Sequence, residues 1–289
     1  MKLEEFNPSL LKLGSTMCFI GKRHTGKTVL ITDILYRLYK EGAKNGKLVD
    51  ACVCFSNTED LQSNFTRFVP KAFIYSNYSE QRLVNILETQ KELVKKQGRT
   101  SNLVIILDDF GYKKSIFNET FGRLLCNGRH YNITLMLSLQ YSMQLPPSMR
   151  SNIDICVSLR EPILANRKRL FDSFYGMFHS FKEFEKCFAE VTNNYGCLIA
   201  VNNGSSSNDV TDNMFWYRAK PQELPERFEL GRSIYWRWSK QYKLTQNIRE
   251  GTNKNNSIVQ VERRNTSNNE NPKQSNQGSF VHPPMSLIV

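Results

Sequence analysis

One segment of eight residues constrains the fold of this chain more than any other feature: Gly21, Lys22, Arg23, His24, Thr25, Gly26, Lys27 and Thr28. It matches the pattern G-x-x-x-x-G-K-(S/T) at every fixed position, which is the pattern of a phosphate-binding loop. An apolar run at 16–20 precedes the loop, and residues 29–38 follow it with apolar side chains at helical spacing. A strand, a glycine-containing turn and a helix in this order predict a P-loop nucleotide-binding fold.

Each fixed position of this loop has a physical role. Gly21 and Gly26 allow the backbone to fold tightly, so that successive N–H groups turn inward around a phosphate. Lys27 is expected to reach the β- and γ-phosphates of a nucleotide, and the Thr28 hydroxyl to ligate Mg²⁺. The following helix directs its positive N-terminus at the same place. We therefore expect ATP and Mg²⁺ as ligands, with all eight loop residues around the nucleotide.

An uninterrupted apolar strand over 103–107 leads directly into two carboxylates, Asp108 and Asp109. Such a strand suits the centre of a parallel sheet, and an acidic residue at its end is the Walker B arrangement, which holds Mg²⁺. Asp108 is the predicted metal carboxylate. Asp109 stands where many ATP-hydrolysing motors carry a glutamate that polarises the attacking water, although Asp is one methylene shorter. The alternative interpretation is a solvated Asp-Asp turn.

Two polar residues flank the apolar strand predicted over 133–139. Gln140 follows this strand, so it is expected at the same sheet edge as Asp108, within reach of the γ-phosphate or the attacking water. Arg129 ends the helix before the strand. We interpret it as an arginine finger that reaches the γ-phosphate of a neighbouring subunit. The competing interpretation is that Arg129 caps helix carbonyls at a C-terminus.

The rest of the chain alternates between strand and helix patterns. Further apolar runs predict strands at 51–55, 72–75, 153–159, 196–201 and 214–217. Helical patterns lie between them, and the whole predicts an α/β P-loop NTPase with a mostly parallel central sheet, flanking helices and a C-terminal antiparallel hairpin. The predicted organisation is an ATPase core over 1–217, a basic aromatic segment over 218–243 and a disordered Asn-rich tail over 244–289.

Composition excludes several classes of protein. The chain has 289 residues, of which 40% are hydrophobic, and this argues against disorder throughout. No apolar run approaches the roughly 20 residues that a membrane span needs, and the first six residues lack the order of a secretory signal. Seven cysteines without a CxxC pair predict free, buried thiols in a reducing compartment. The net charge of +12 is compatible with nucleic acid as a partner.

The segment 218–243 carries seven basic and three acidic residues, with tryptophans among the cations. One interpretation is a surface that contacts the DNA backbone independently of sequence. Its candidate residues are Arg232, Arg237, Lys240 and Lys243. The other interpretation, which is slightly favoured, is an amphipathic element that docks Trp236 or Trp238 on the core and leaves its cations in solvent.

Taken together, these motifs resemble those of the poxvirus-type DNA-packaging ATPases of nucleocytoplasmic large DNA viruses, within the FtsK–HerA superfamily of P-loop NTPases. The resemblance rests on residues 21–28, on the strand and acidic pair over 105–109, and on Arg129-His130 followed after nine residues by Gln140. It implies ATP-driven translocation of double-stranded viral DNA into capsids. It also implies that Gln140 is a polar sensor of the nucleotide and that Arg129 is a finger acting in trans.

The same resemblance implies partners and a location. It implies double-stranded DNA, a homo-oligomeric ring, and viral capsid or membrane-associated assembly proteins, at the assembly site in the host cytoplasm and in the virion. Two other functions remain open at this point. A P-loop nucleoside or small-molecule kinase would use the same loop, although Arg129 and Gln140 have no evident role there. A nucleotide-gated virion scaffold with little turnover would fit the short side chain of Asp109.

Overall fold

The computed structural model describes residues 2–44, 48–57, 64–97, 101–109, 114–202, 207 and 209–242. Within these ranges nine strands form one sheet. The strands are β1 (Glu4–Glu5), β2 (Thr16–Ile20), β3 (Ala51–Ser56), β4 (Ile74–Tyr75), β5 (Leu103–Asp108), β6 (Ile133–Leu139), β7 (Ile155–Leu159), β8 (Gly196–Val201) and β9 (Met214–Arg218). The helices are α1 (Lys27–Lys44), α2 (Glu80–Gln97), α3 (Glu119–Asn127), α4 (Pro147–Arg150), α5 (Leu164–Phe174), α6 (Phe181–Val191), α7 (Val210–Asn213) and α8 (233–242).

The strand order across the sheet is β1-β9-β8-β7-β2-β6-β5-β3-β4. The pairs β7–β8 and β8–β9 are antiparallel, and the other six neighbouring pairs are parallel. The α/β class predicted from the sequence, with a mostly parallel sheet and an antiparallel hairpin near its end, is therefore confirmed.

The centre of the sheet positions the phosphate loop. Strand β2 lies between β7 and β6, and β6 separates β2 from β5. Ile20 pairs with Leu139, and Ser138 pairs with Asp108, so the chain leaves β2, β6 and β5 at nearly the same level. Every residue of these three strands is buried, which requires cover on both faces of the sheet. The residues that follow the three strands consequently meet at one edge.

A buried carboxylate ties the helix after the loop to a distant strand. Asp33 of α1 is fully buried and accepts a hydrogen bond from the Tyr217 hydroxyl of β9. Arg37, one turn further along α1, donates to both oxygens of Asp33 at 3.1 Å. Because the charge of Asp33 is paired and hydrogen-bonded, its burial is tolerated, and the start of α1 is anchored to the sheet.

Two edge strands differ from the sequence prediction. Strand β4 covers only Ile74–Tyr75, since Lys71–Phe73 form a 3₁₀ turn instead of extending the predicted strand. Strand β1 was not predicted, because two consecutive glutamates have no strand pattern. It forms because Phe6 is buried and its N–H donates to the Trp216 carbonyl at 2.8 Å, which aligns Glu4–Glu5 with β9.

The described part of the basic aromatic segment packs against the core. Trp236 of α8 is only 6% exposed, and its indole N–H donates to the Leu230 carbonyl at 2.9 Å. The rings of Tyr235 and Trp238 lie 5.5 and 5.8 Å from the ring of Phe73, beside β4. The docked arrangement, which the sequence slightly favoured, is thus the observed one.

Three further predictions concern the cysteines, membrane spans and the C-terminal tail. Five cysteines are buried free thiols, as expected, whereas Cys126 is exposed and Cys187 is half-buried. In the described ranges, each helix is too short or too polar to cross a bilayer. Lys243 and the predicted tail over 244–289 lie outside the described residues, and the boundaries proposed at 217 and 243 stay predictions.

Candidate nucleotide-binding site

The phosphate loop connects the end of β2 to the start of α1 through a tight turn. His24 and Gly26 have positive φ angles of 62° and 93°. A Cβ atom on Gly21 would lie 2.7 Å from Thr25 Oγ1 and 3.0 Å from Leu159 Cβ, so this position admits no side chain. The Gly21 N–H also donates to the Leu139 carbonyl at 3.0 Å, which joins the loop to the end of β6. The glycines that the motif requires are therefore explained by the geometry of the loop.

The ammonium group of Lys27 lies inside the curve of the loop. It donates to the Gly21 carbonyl and, at 2.9 Å, to the Lys22 carbonyl. Burial lowers the pKa of Lys27, while the carboxylates of Asp109 and Asp108 raise it and Arg23 lowers it further. The amine is thus partly desolvated and held by weak neutral acceptors. A phosphate would be a stronger partner for it.

Asp108, the last residue of β5, is 1% exposed. Burial raises the pKa of its carboxyl group, the nearby Ser138 hydroxyl lowers it, the Asp109 charge raises it and Lys27 lowers it. Its Oδ2 atom has no hydrogen bond of standard geometry from any residue that the structure describes. A buried carboxylate oxygen without a partner is costly unless a ligand satisfies it. Together with Thr28, the half-buried second residue of α1, Asp108 fits the requirements of a Mg²⁺ site.

Asp109 and Gln140 meet at the same edge, as the sequence predicted. Gln140 Nε2 donates to Asp109 Oδ1 at 2.8 Å. Asp109 adopts a positive φ of 58°, an uncommon backbone conformation that turns the chain sharply just after Asp108. The carboxylate and the amide consequently form one polar pair beside the loop.

Gln144 supports this pair, and sequence reasoning missed it. Its Oε1 atom accepts the backbone N–H of Gln140 at 2.7 Å and that of Tyr141 at 3.1 Å. The short 3₁₀ turn Ser142–Gln144 brings the side chain back over the end of β6. A glutamine five residues beyond the end of β6 is the only sequence signal, and it has no motif of its own.

Glu161 is a second residue that the sequence did not single out. Its side chain is 5% exposed and pairs with Lys22 Nζ of the loop at 3.0 Å. The carboxylate also accepts the Ile163 N–H at 2.9 Å and the Asn166 amide at 3.2 Å. Glu161 reaches the loop because β7 neighbours β2, a pairing that local sequence patterns do not reveal.

Arg129 lies at the opposite edge of the sheet. It belongs to the turn Gly128–Tyr131, before β6, and a Cβ atom on Gly14 would lie 3.8 Å from its Cα atom. Strand β6 has seven residues and therefore spans about 20 Å between Arg129 and Gln140. The exposed Arg129 side chain cannot reach the loop of its own chain, so it could serve only the site of another copy.

The DNA-contact candidates have different surroundings. Arg232 Nε donates to Asp50 Oδ1 at 2.8 Å, so its charge is balanced within the chain. Arg237 and Lys240 are exposed on α8. Lys243 is outside the described residues.

The family described as "Poxvirus A32 protein" matches residues 4–165, which is more than half of the chain. The chain belongs to this family. The resemblance to the poxvirus type that the motifs suggested is thereby confirmed, and the matched residues include the loop, the acidic pair, Arg129 and Gln140.

Several viral proteins are similar to this chain in sequence or in fold. Protein 088R of invertebrate iridescent virus 3 is 34% identical over 207 residues, covering 71% of this chain and 76% of that protein. Protein L437 of Acanthamoeba polyphaga mimivirus is 27% identical, covering 77% and 79% of the two chains. The genome packaging NTPase B204 of Sulfolobus turreted icosahedral virus 2, solved with ATP-γ-S, has a TM-score of 0.51 at 17% identity and covers 74% of this chain and 98% of its own. This last likeness shows a shared P-loop NTPase fold.

Proposed function

We propose that this chain is an ATP-hydrolysing motor that translocates double-stranded viral DNA into capsids during virion assembly. The observation that carries the proposal is the convergence of Lys27, Asp108 and the Asp109–Gln140 pair at one sheet edge. Membership of the A32 family and the fold shared with a genome packaging NTPase support it. A nucleotide-binding scaffold would need the loop and the metal carboxylate, but not a polar pair beside them.

Each residue of the site has its own role in ATP binding or hydrolysis. The loop amides and Lys27 would bind the phosphates of ATP, and Thr28 and Asp108 would hold Mg²⁺. When bound, Mg²⁺ neutralises charge on the β- and γ-phosphates. Gln140 orients the carboxylate of Asp109 through the 2.8 Å hydrogen bond. Because a carboxylate has a second oxygen, Asp109 keeps an acceptor for the attacking water. The side chain of Asp109 is short, and the hydrogen bond from Gln140 compensates for this by fixing the direction of the Asp109 carboxylate.

A ring of identical subunits is part of the same proposal. An exposed arginine about 20 Å from its own loop is useful for phosphate chemistry only if it faces the loop of a neighbour. We assign Arg129 this role, and Arg237 and Lys240 as candidate contacts to the DNA backbone. The capsid and assembly proteins at the viral assembly site in the host cytoplasm would be the further partners.

The test is phosphate release from ATP by the full chain, with and without duplex DNA, for the wild type and Lys27→Ala. Hydrolysis that DNA stimulates, reduced about 100- to 1,000-fold in the variant, is expected, since Lys27 stabilises charge on the transferred phosphoryl group. Lys40→Ala, an exposed lysine on the same helix, is the matched control and should retain activity. Turnover that needs a nucleoside instead of DNA would favour the kinase. No turnover under either condition would favour the scaffold.

Mixing two inactive variants tests the role of Arg129. A subunit with Arg129→Ala keeps an intact phosphate loop, and a subunit with Lys27→Ala keeps Arg129. In a mixed ring, some sites therefore combine an intact loop with an intact Arg129 from the neighbouring subunit. Partial recovery of hydrolysis at intermediate mixing ratios is expected. If activity stays at the level of the separate variants at every ratio, the assignment in trans is wrong.

A further inference from the structure

Tyr195 is an exposed aromatic residue at the phosphate loop. It is 72% exposed, a larger fraction than that of any other large apolar side chain in the described part of the chain. It ends the turn Asn193–Tyr195, directly before β8. Because β8 is antiparallel to β7, its amino end lies at the edge where β7 and β2 end. The turn therefore stands beside the loop.

The tyrosine ring lies directly beside the loop. A Cβ atom on Gly26 would lie 3.4 Å from Tyr195 Cδ1, an ordinary van der Waals contact. The next residues of the chain after Gly26 are Lys27 and Thr28, which begin α1. One side of the ring is consequently placed against the nucleotide loop, while most of its surface faces solvent.

The backbone holds Tyr195 in an unfavourable conformation. Asn194 and Tyr195 both have positive φ angles, of 50° and 61°. An aromatic residue rarely adopts this region, and such strain persists only where the surroundings impose it. The next residue, Gly196, packs closely against the preceding helix, since a Cβ atom there would lie 2.1 Å from the Val191 carbonyl oxygen. Burial of the ring does not offset the strain, so the position of Tyr195 calls for another explanation.

The direction of the nucleotide supplies that explanation. The γ-phosphate has to face Asp108 and Asp109, which follow β5 on one side of β2. The nucleoside must then leave the loop on the other side of β2, where β7 and β8 lie. Tyr195 is the exposed ring on that side.

We propose that Tyr195 forms a base-stacking subsite, on which the purine ring of ATP packs face to face. This inference rests on the proposed function, because it needs a nucleotide in the loop. Every nucleobase has a π-face, so stacking adds affinity without reading hydrogen-bond donors and acceptors. The subsite should therefore increase the affinity for ATP and for GTP by similar amounts. It should contribute nothing to the binding of a bare polyphosphate.

Binding measurements on the full chain test the subsite with two ligands, Mg-ATP and inorganic tripolyphosphate. Three variants separate the ring from the backbone. Tyr195→Phe keeps the ring, Tyr195→Asn removes it with a residue that tolerates positive φ, and Tyr195→Ala removes it without that tolerance. We expect the Asn and Ala variants to bind ATP about tenfold more weakly, the Phe variant to bind it normally, and all three to bind tripolyphosphate like the wild type.

Two results would overturn the subsite. One is an unchanged ATP affinity in Tyr195→Asn, and the other is an equal loss for ATP and tripolyphosphate, which would indicate a damaged loop. The measurement is independent of turnover. If the wild type does not hydrolyse ATP but the ring-dependent difference between the ligands is present, the subsite stands and the motor function fails.

Discussion

The two edges of the parallel sheet differ in how their polar groups are satisfied. At the edge where the parallel strands begin, the Asp154 carboxylate accepts the Thr16 N–H at 2.7 Å. At the same edge Asp50 accepts the Asn102 N–H at 2.9 Å and pairs with Arg232 at 2.8 Å. At the edge where these strands end, Asp108 Oδ2 lacks such a partner among the described residues. Both carboxylates at the first edge are thus satisfied within the chain, whereas Asp108 at the other edge keeps an oxygen atom for a ligand.

Non-glycine residues with a positive φ angle are also distributed unequally between the two edges. Of the five non-glycine residues with positive φ in the described ranges, four lie at the edge of the loop: His24, Asp109, Asn194 and Tyr195. The fifth, Asn132, is at the opposite edge, and asparagine tolerates this conformation well. Strain of this kind concentrates at functional sites. Substitutions at the loop edge should consequently change activity more than stability, and substitutions at the opposite edge should do the reverse.

The largest effect that tests this difference is expected for Asp108→Asn. The Mg²⁺ concentration that gives half-maximal hydrolysis should rise about 10- to 100-fold, because a neutral amide is a poor partner for the metal and its waters. The free energy of unfolding should rise by about 1 kcal/mol, because burial destabilises the charged carboxylate. Metal titrations of ATPase activity and urea unfolding measure the two quantities. A free energy of unfolding that is lower for Asp108→Asn than for the wild type would contradict the difference between the edges.

At the opposite edge, Asp154→Ala should act only on stability. It leaves the buried Thr16 N–H without its acceptor, so the free energy of unfolding should fall by about 2 kcal/mol. The affinity for ATP should remain within about twofold, since Asp154 lies beside the start of β2 and the loop follows the end of this strand. Asp212→Ala, an exposed carboxylate elsewhere, is the control for stability. Loss of ATP binding in a folded Asp154→Ala protein would show that the two edges are coupled.

The smallest effect is expected from Gln144→Ala. Without its Oε1 atom, Gln140 loses an anchor for its backbone N–H, and the Asp109–Gln140 pair becomes less well oriented. We expect kcat to fall about tenfold with little change in KM. Gln144→Glu keeps an acceptor oxygen and should recover most of the activity. If the Glu variant is as slow as the Ala variant, Gln144 does not act through this hydrogen bond.

Much of the site could be predicted because its residues follow local patterns. Gln140 comes directly after the mostly apolar run 133–139, Asp109 comes after the apolar run 103–107 and Asp108, and buried parallel strands end at a common edge. That rule alone is sufficient to expect their contact. Glu161 follows a strand and Tyr195 precedes one, but their relation to the loop depends on β7 lying beside β2 and on β8 lying beside β7. The residue pattern of neither segment indicates which strands lie beside it in the sheet.

The sequence by itself determined the phosphate loop, the types of most elements and the family, because these depend on backbone sterics, hydrophobic periodicity and motif spacing within short segments. Only the tertiary structure decided the order of the strands, since long-range packing selects neighbours that chain order does not specify. That order placed β6 between the strand before the loop and the strand that ends in Asp108, and it set Tyr195 beside Gly26.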